Sequence, residues 1–84
     1  MLADDPTFFG RSQDLLTQIK LALMRGIDAS LRRQYRIQED AARALGVDRN
    51  RLSNLRNGHT DRFSLPWLII TAERIGAKVT ITIE

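Results

Sequence analysis

Cysteine is absent from this chain, so it can form neither a disulfide nor a thiolate metal site. That fits a reducing compartment. Histidine occurs once, and the chain has no glycine-rich phosphate loop and no side chains at metal-ligand spacing. An enzyme is therefore not expected, nor is a metal or cofactor. No apolar run approaches membrane length, and the N-terminal MLADDPTFF is acidic where a secretory signal would be basic. A soluble, cytoplasmic protein is the expectation. Aromatic residues are scarce at 6%, yet hydrophobic residues reach 43%, enough for a folded core rather than disorder. At 84 residues there is room for one small core, near the size where independent stability becomes marginal.

The net charge is +3, and its distribution says more than its total. Residues 1–14 carry Arg11 against Asp4, Asp5 and Asp14. Residues 25–62 carry nine arginines against Asp28, Glu39, Asp40, Asp48 and Asp61. Positive charge concentrated in this way supplies sequence-independent affinity for a polyanion. Arginine also suits forked recognition of phosphates and base edges better than lysine does. A basic surface that serves only solubility would look the same by charge alone.

The basic segment contains QEDAARALGVDRNRLSNLRNG, residues 38–58. Ala41, Ala42 and Leu45 have the spacing of one apolar helical face, and Gly46 can end that helix in the left-handed conformation. Val47 turns inward. Asp48 is a good N-cap for a second helix over about Arg49–Arg56, with Leu52 and Leu55 facing inward. Asn57-Gly58 closes it. Two short helices with a tight, glycine-containing turn make a helix-turn-helix. Turning ~100° per residue from Leu52 puts Asn50, Ser53, Asn54 and Asn57 on the outward side, with Arg49 and Arg51 on the flanks. That face has no carboxylate beyond the cap. Asparagine can pair bidentately with adenine, and arginine with guanine, in the major groove of DNA. A merely solvated helix usually mixes Glu with Lys, and this one has neither.

The flanks supply the rest of the core. Residues 1–11, interrupted by Pro6 and Gly10, read as a flexible N-terminal arm in which Phe8 and Phe9 are the sticky points. Residues 12–84 read as a single domain. Ser12 is a candidate N-cap for a helix whose Leu15, Ile19, Leu23, Ile27 and Leu31 recur every fourth residue. Gly26 lies inside this stripe and marks a possible break. Leu16, Leu21 and Met24 widen the apolar face. Arg32, Arg33 and Arg36 suit the helix's C-terminal dipole and could also reach phosphates. Glu39 and Asp40 favour the N-terminus of the first motif helix in the same way; adjacent in sequence, they point apart and make no catalytic pair.

After Gly58, His59–Arg62 reads as a polar loop anchored by Phe63. Ser64 caps a further helix over Leu65 to about Ile75, with Pro66 in its first turn. That helix is apolar nearly all round, more than so small a domain can bury by itself. In the terminal AKVTITIE, Val79, Ile81 and Ile83 alternate with Lys78, Thr80 and Thr82, the pattern of a β-strand over 78–83. No second strand is visible in the sequence, so pairing with the same strand of a second copy across a two-fold axis is expected. Val79, Ile81 and Ile83 would be the dimerisation residues.

The sequence Gln38-x-x-Ala41-Ala42-x-x-Leu45-Gly46-Val47, followed by Arg51-Leu52-Ser53-x-Leu55-x-Asn57-Gly58 and Asp61-Arg62-Phe63-Ser64-Leu65, resembles the Xre/Cro-like helix-turn-helix family, and within it the small HigA-like antitoxin branch. The likeness covers about residues 17–83. It implies an all-α, lambda-repressor-like domain whose C-terminal β-strand pairs across a homodimer. It also implies that Arg49, Asn50, Ser53 and Asn54 read base edges. The phosphate contacts would be Gln38 and Asn57, with His59 and Arg62 adding to them from the loop; Arg51, on the flank of the reading helix, is counted with them. Two departures stand out. Ile37 replaces the usual Thr or Ser cap, and Tyr35 stands where relatives often have glycine.

The resulting expectation is a sequence-specific repressor of double-stranded DNA, dimeric on a palindromic operator. The resemblance adds an antitoxin role in a type II toxin–antitoxin pair, with a small, mRNA-cleaving toxin as partner. A stand-alone Xre-type regulator without a toxin is the alternative. Spare apolar surface on the arm and the long helix would be the place for a toxin.

Overall fold

One long helix sets the dimensions of the molecule. α1 runs Pro6–Gln34, 29 residues or roughly 43 Å at the α-helical rise, within overall extents of 51 × 22 × 17 Å. The computed structural model describes the backbone of residues 6–81 and the side chains of residues 15–81. After α1 come α2 (Gln38–Leu45), α3 (Arg49–Arg56), a 3-10 turn (Thr60–Arg62) and α4 (Leu65–Arg74). No described helix is long and apolar enough to cross a membrane.

α1 departs from the expectation at its start. It begins at Pro6 rather than behind a cap at Ser12, so much of the expected arm is already helical. Proline suits the first turn of a helix, where its missing N–H has no intrahelical partner to lose. The side chains of Phe8, Phe9 and Ser12 lie outside the described residues. Nor does α1 break at Gly26. The glycine serves a different purpose there: a Cβ would come within 2.7 Å of the Lys78 carbonyl oxygen and 2.8 Å of Val79 Cγ2. Gly26 is the notch over which the C-terminal tail crosses α1.

The strand expected over 78–83 is not shown among the described residues. Residues 78–81 form no β-strand, because among the described residues nothing pairs with them and a ladder needs two strands. Gln34 Nε2 donates to the Ile75 carbonyl oxygen at 3.0 Å and to Ser30 Oγ at 2.8 Å, and Val79 lies at Gly26. The tail leaves the end of α4 through Gly76, at φ 70°. It runs antiparallel to α1, with Ala77 and Val79 half-buried and Lys78 and Thr80 exposed. Ile81 remains exposed, and Ile83 lies outside the described residues.

The core is the predicted stripe joined to the motif helices. Leu23, Ile27 and Leu31 of α1 are buried with Ala41, Ala42, Leu45, Leu52, Leu55, Phe63 and Leu68, and Val47 packs against them. Met24 is buried too, and Leu21 faces Gly58 at the end of α3. The widened face of α1 thus receives the C-terminus of α3. α4 buries Leu68, Thr71 and Ala72 but leaves Ile69 and Ile70 at 49% and 62% exposure, as its all-round apolar sequence required. Tyr35 closes the α1–α2 turn with its N–H on the Leu31 carbonyl at 2.8 Å. It does so without a left-handed residue, since every described positive φ belongs to a glycine.

Candidate nucleic-acid interface

The motif is positioned by its caps. Gly46 takes φ 73°, and the N–H groups of Gly46 and Val47 donate to the carbonyls of Arg43 and Ala42 at 3.0 Å each, which ends α2 and aims the chain at α3. A side chain here would be strained by the left-handed backbone. Asp48 Oδ1 accepts from the Arg51 N–H at 2.7 Å and starts α3. Ile37 precedes α2 without a side-chain cap, as its identity implied. Arg74, from α4, donates to the Leu45 carbonyl at 3.2 Å and ties the end of α2 into the body.

α3 is seated by Leu52 and Leu55, exposed at 0% and 2%. Its outward face carries Arg49 and Asn50, both exposed, Ser53 and Asn54, both half-buried, and Asn57, exposed just beyond the helix. Asn57 Nδ2 donates to Ser53 Oγ at 3.3 Å, which steadies two of these polar groups in one row. The side chains of Arg49, Asn50 and Asn54 make no hydrogen bond or ion pair within the described residues. Amide and guanidinium groups therefore stand free on a short rod whose other side is locked in the core. The acidic neighbours Glu39 and Asp40 lie in the first turn of α2, where Asp40 makes only a loose 3.9 Å pair with Arg43.

The expected phosphate-contacting residues lie at the start of α2, on and just after α3, and in the 3-10 turn. Gln38 is exposed at the start of α2. His59 and Arg62 are exposed at the two ends of the 3-10 turn. That turn is held from below: Lys20 Nζ donates to the Thr60 carbonyl at 3.3 Å, and Phe63 is buried at 2% exposure. Arg51 is placed differently from the others. Its guanidinium lies over the Phe63 ring at 4.4 Å and the Trp67 ring at 5.2 Å, and Nη1 donates to the Arg62 carbonyl at 3.2 Å.

Sequence reasoning gave no particular role to the pair that fixes the far end of α3. Arg56 Nε donates to Asp28 Oδ1 at 2.9 Å with both side chains largely covered, and Arg32 Nε takes the other carboxylate oxygen at 3.1 Å. One acid thus consumes two of the nine arginines counted between residues 25 and 62. A signal for it was present: Asp28 stands next to Ile27 and one turn on from Met24, beside the apolar stripe, where an acid normally needs a partner.

No curated protein and no solved structure matches the chain significantly. Its sequence does match a family model described as a helix-turn-helix domain, over residues 8–84. With nearly the whole chain inside that match and the two-helix motif standing where the sequence put it, the protein belongs to this helix-turn-helix domain family, the kind of fold that DNA-binding regulators use.

Proposed function

We propose that the protein is a sequence-specific transcriptional repressor that binds a palindromic operator as a homodimer. The observation that carries this reading is the outward face of α3. Arg49, Asn50, Ser53, Asn54 and Asn57 form a row of hydrogen-bonding groups with no carboxylate among them, complementary to base edges in a major groove. Arg49, Asn50, Ser53 and Asn54 read bases, while Gln38, Asn57, His59 and Arg62 grip phosphates on either side. Chemistry on a substrate is not part of the proposal, and neither is a metal or cofactor.

The dimer is formed through the tail. Val79 is seated on α1, residues 80–81 beyond it have no ladder partner among the described residues, and Ile81 offers apolar surface there. A second copy pairing antiparallel would cover both, and an operator with half-sites one turn apart requires the two α3 helices ~34 Å apart. The resemblance to HigA-like proteins supports the further proposal that the repressor is the antitoxin of a type II pair. It would then hold a small, mRNA-cleaving toxin against α1, where Leu16 is 43% exposed, and repress its own operon.

Selection of bound sequences from a random duplex pool tests the core of this reading. A two-fold symmetric consensus, bound with steep salt dependence, is the expected result. Binding that ignores sequence at every salt concentration, or no binding, overturns it. Co-purification of a small basic protein encoded beside this chain separates an antitoxin from a stand-alone regulator.

A further inference from the structure

The N-termini of α3 and α4 are joined through one side chain. Asp48 caps α3 by accepting from the Arg51 N–H, and Ser64 caps α4 by accepting from the Trp67 N–H. The two residues so capped meet: the Arg51 guanidinium lies over the Trp67 ring and, closer, over Phe63. The rings themselves are 5.3 Å apart, tilted by 38°. Phe63 is the buried anchor of the 59–62 loop, and Arg51 also donates to the Arg62 carbonyl. α3, the loop and α4 therefore share a single joint.

We propose that Arg51 is a positioning residue rather than a phosphate ligand: it clamps the recognition helix to the loop that carries His59 and Arg62, so that base-reading and phosphate-gripping groups meet DNA in one fixed geometry. This rests on the DNA-binding reading above. The physical reason is the flat guanidinium. It stacks on aromatic faces while its edge donates in the ring plane, which a lysine ammonium cannot imitate. Its outlay of positive charge is directed inward, onto ring faces and a carbonyl.

Salt dependence separates the two roles, since each phosphate contact contributes ~0.9 to the slope of log K against log salt. Arg51→Gln is expected to weaken operator binding about tenfold while leaving that slope unchanged. Arg51→Lys keeps the charge and is expected not to restore affinity. Trp67→Leu, which removes a platform but no charge, should weaken binding with the same unchanged slope; it also serves if Arg51→Gln does not fold. Arg62→Gln is the contrast, lowering the slope by ~0.9. Trp67 is the only tryptophan, so its emission in the free protein reports the stack directly. It should change in Arg51→Gln and Arg51→Lys but not in Arg62→Gln. A slope reduced by about one phosphate in Arg51→Gln, full rescue by lysine, or unchanged emission in both Arg51 variants overturns the clamp while leaving the repressor reading intact. Failure of the unaltered protein to bind any duplex overturns both.

Discussion

The arginines of the motif show how much a residue's role depends on what faces it. Arg49, Arg51 and Arg56 all sit on α3, and composition treats them alike. Among the described residues only Arg49 has no partner; Arg51 lies on aromatic rings and Arg56 is paired with Asp28. The proposed base-reading groups are thereby one guanidinium, one hydroxyl and the amides. Asn54→Ala should relax base preference at one operator position by roughly 1–3 kcal/mol, measured by competition with single-base operator variants; a uniform loss on all sequences would remove Asn54 from the readers. Asp28→Ala acts on a different quantity. It strands the largely covered Arg56 guanidinium and is expected to lower unfolding free energy by roughly 1–3 kcal/mol, read by urea titration, with the salt slope of DNA binding unaltered. A stability unchanged by Asp28→Ala would mean that the ion pair contributes nothing net, as many exposed pairs do.

Among the elements, what could be read from the sequence was what is decided locally. Asp48, Ser64 and Gly46 act on atoms within a few residues of themselves, and each caps the helix its neighbours suggested. The inward faces of α2 and α3 follow from period alone. Gly26 was not legible, because its reason lies in Lys78 and Val79, far along the chain. By propensity a glycine within a helix weakens it, so the sequence leaves open whether the helix breaks there. The tail was half legible: its alternation is present in the burial of residues 77–80, but a ladder depends on a second chain. Of the site, the outward face was legible as a helical period, whereas the Arg51 stack and the Asp28 pair required three-dimensional neighbours. These points set the sign of a substitution. Ala at Gly26 gains about 1 kcal/mol of helix propensity, yet its Cβ would meet backbone at 2.7 Å. Gly26→Ala is therefore expected to lower the melting temperature and to speed amide exchange in residues 77–80. A higher melting temperature would show that the tail does not bear on α1.

At the scale of the whole molecule, the chain leaves surface that it cannot cover alone. Ile69 and Ile70 stand out from α4, and Ile81 from a tail whose backbone has no ladder partner among the described residues. In the proposed dimer a two-fold partner would supply the missing strand and give the operator its symmetry. Consecutive N–H groups of an extended chain point to opposite edges, so of Thr80→Pro and Ile81→Pro one must remove a donor from the edge that pairs. Neither changes the charge. The expectation is that one variant sediments near the monomer mass of 9.6 kDa, while the other and the unaltered protein sediment near twice that. Circular dichroism should stay helical in all three, because the core lies upstream of the tail. The monomeric variant loses the second half-site, and with it an avidity on the order of 10²-fold or more; its binding to random DNA, carried by arginines it still has, should change little. Equal masses for both variants and the unaltered protein would place the dimer contact elsewhere, with the exposed pair on α4 the next surface to alter.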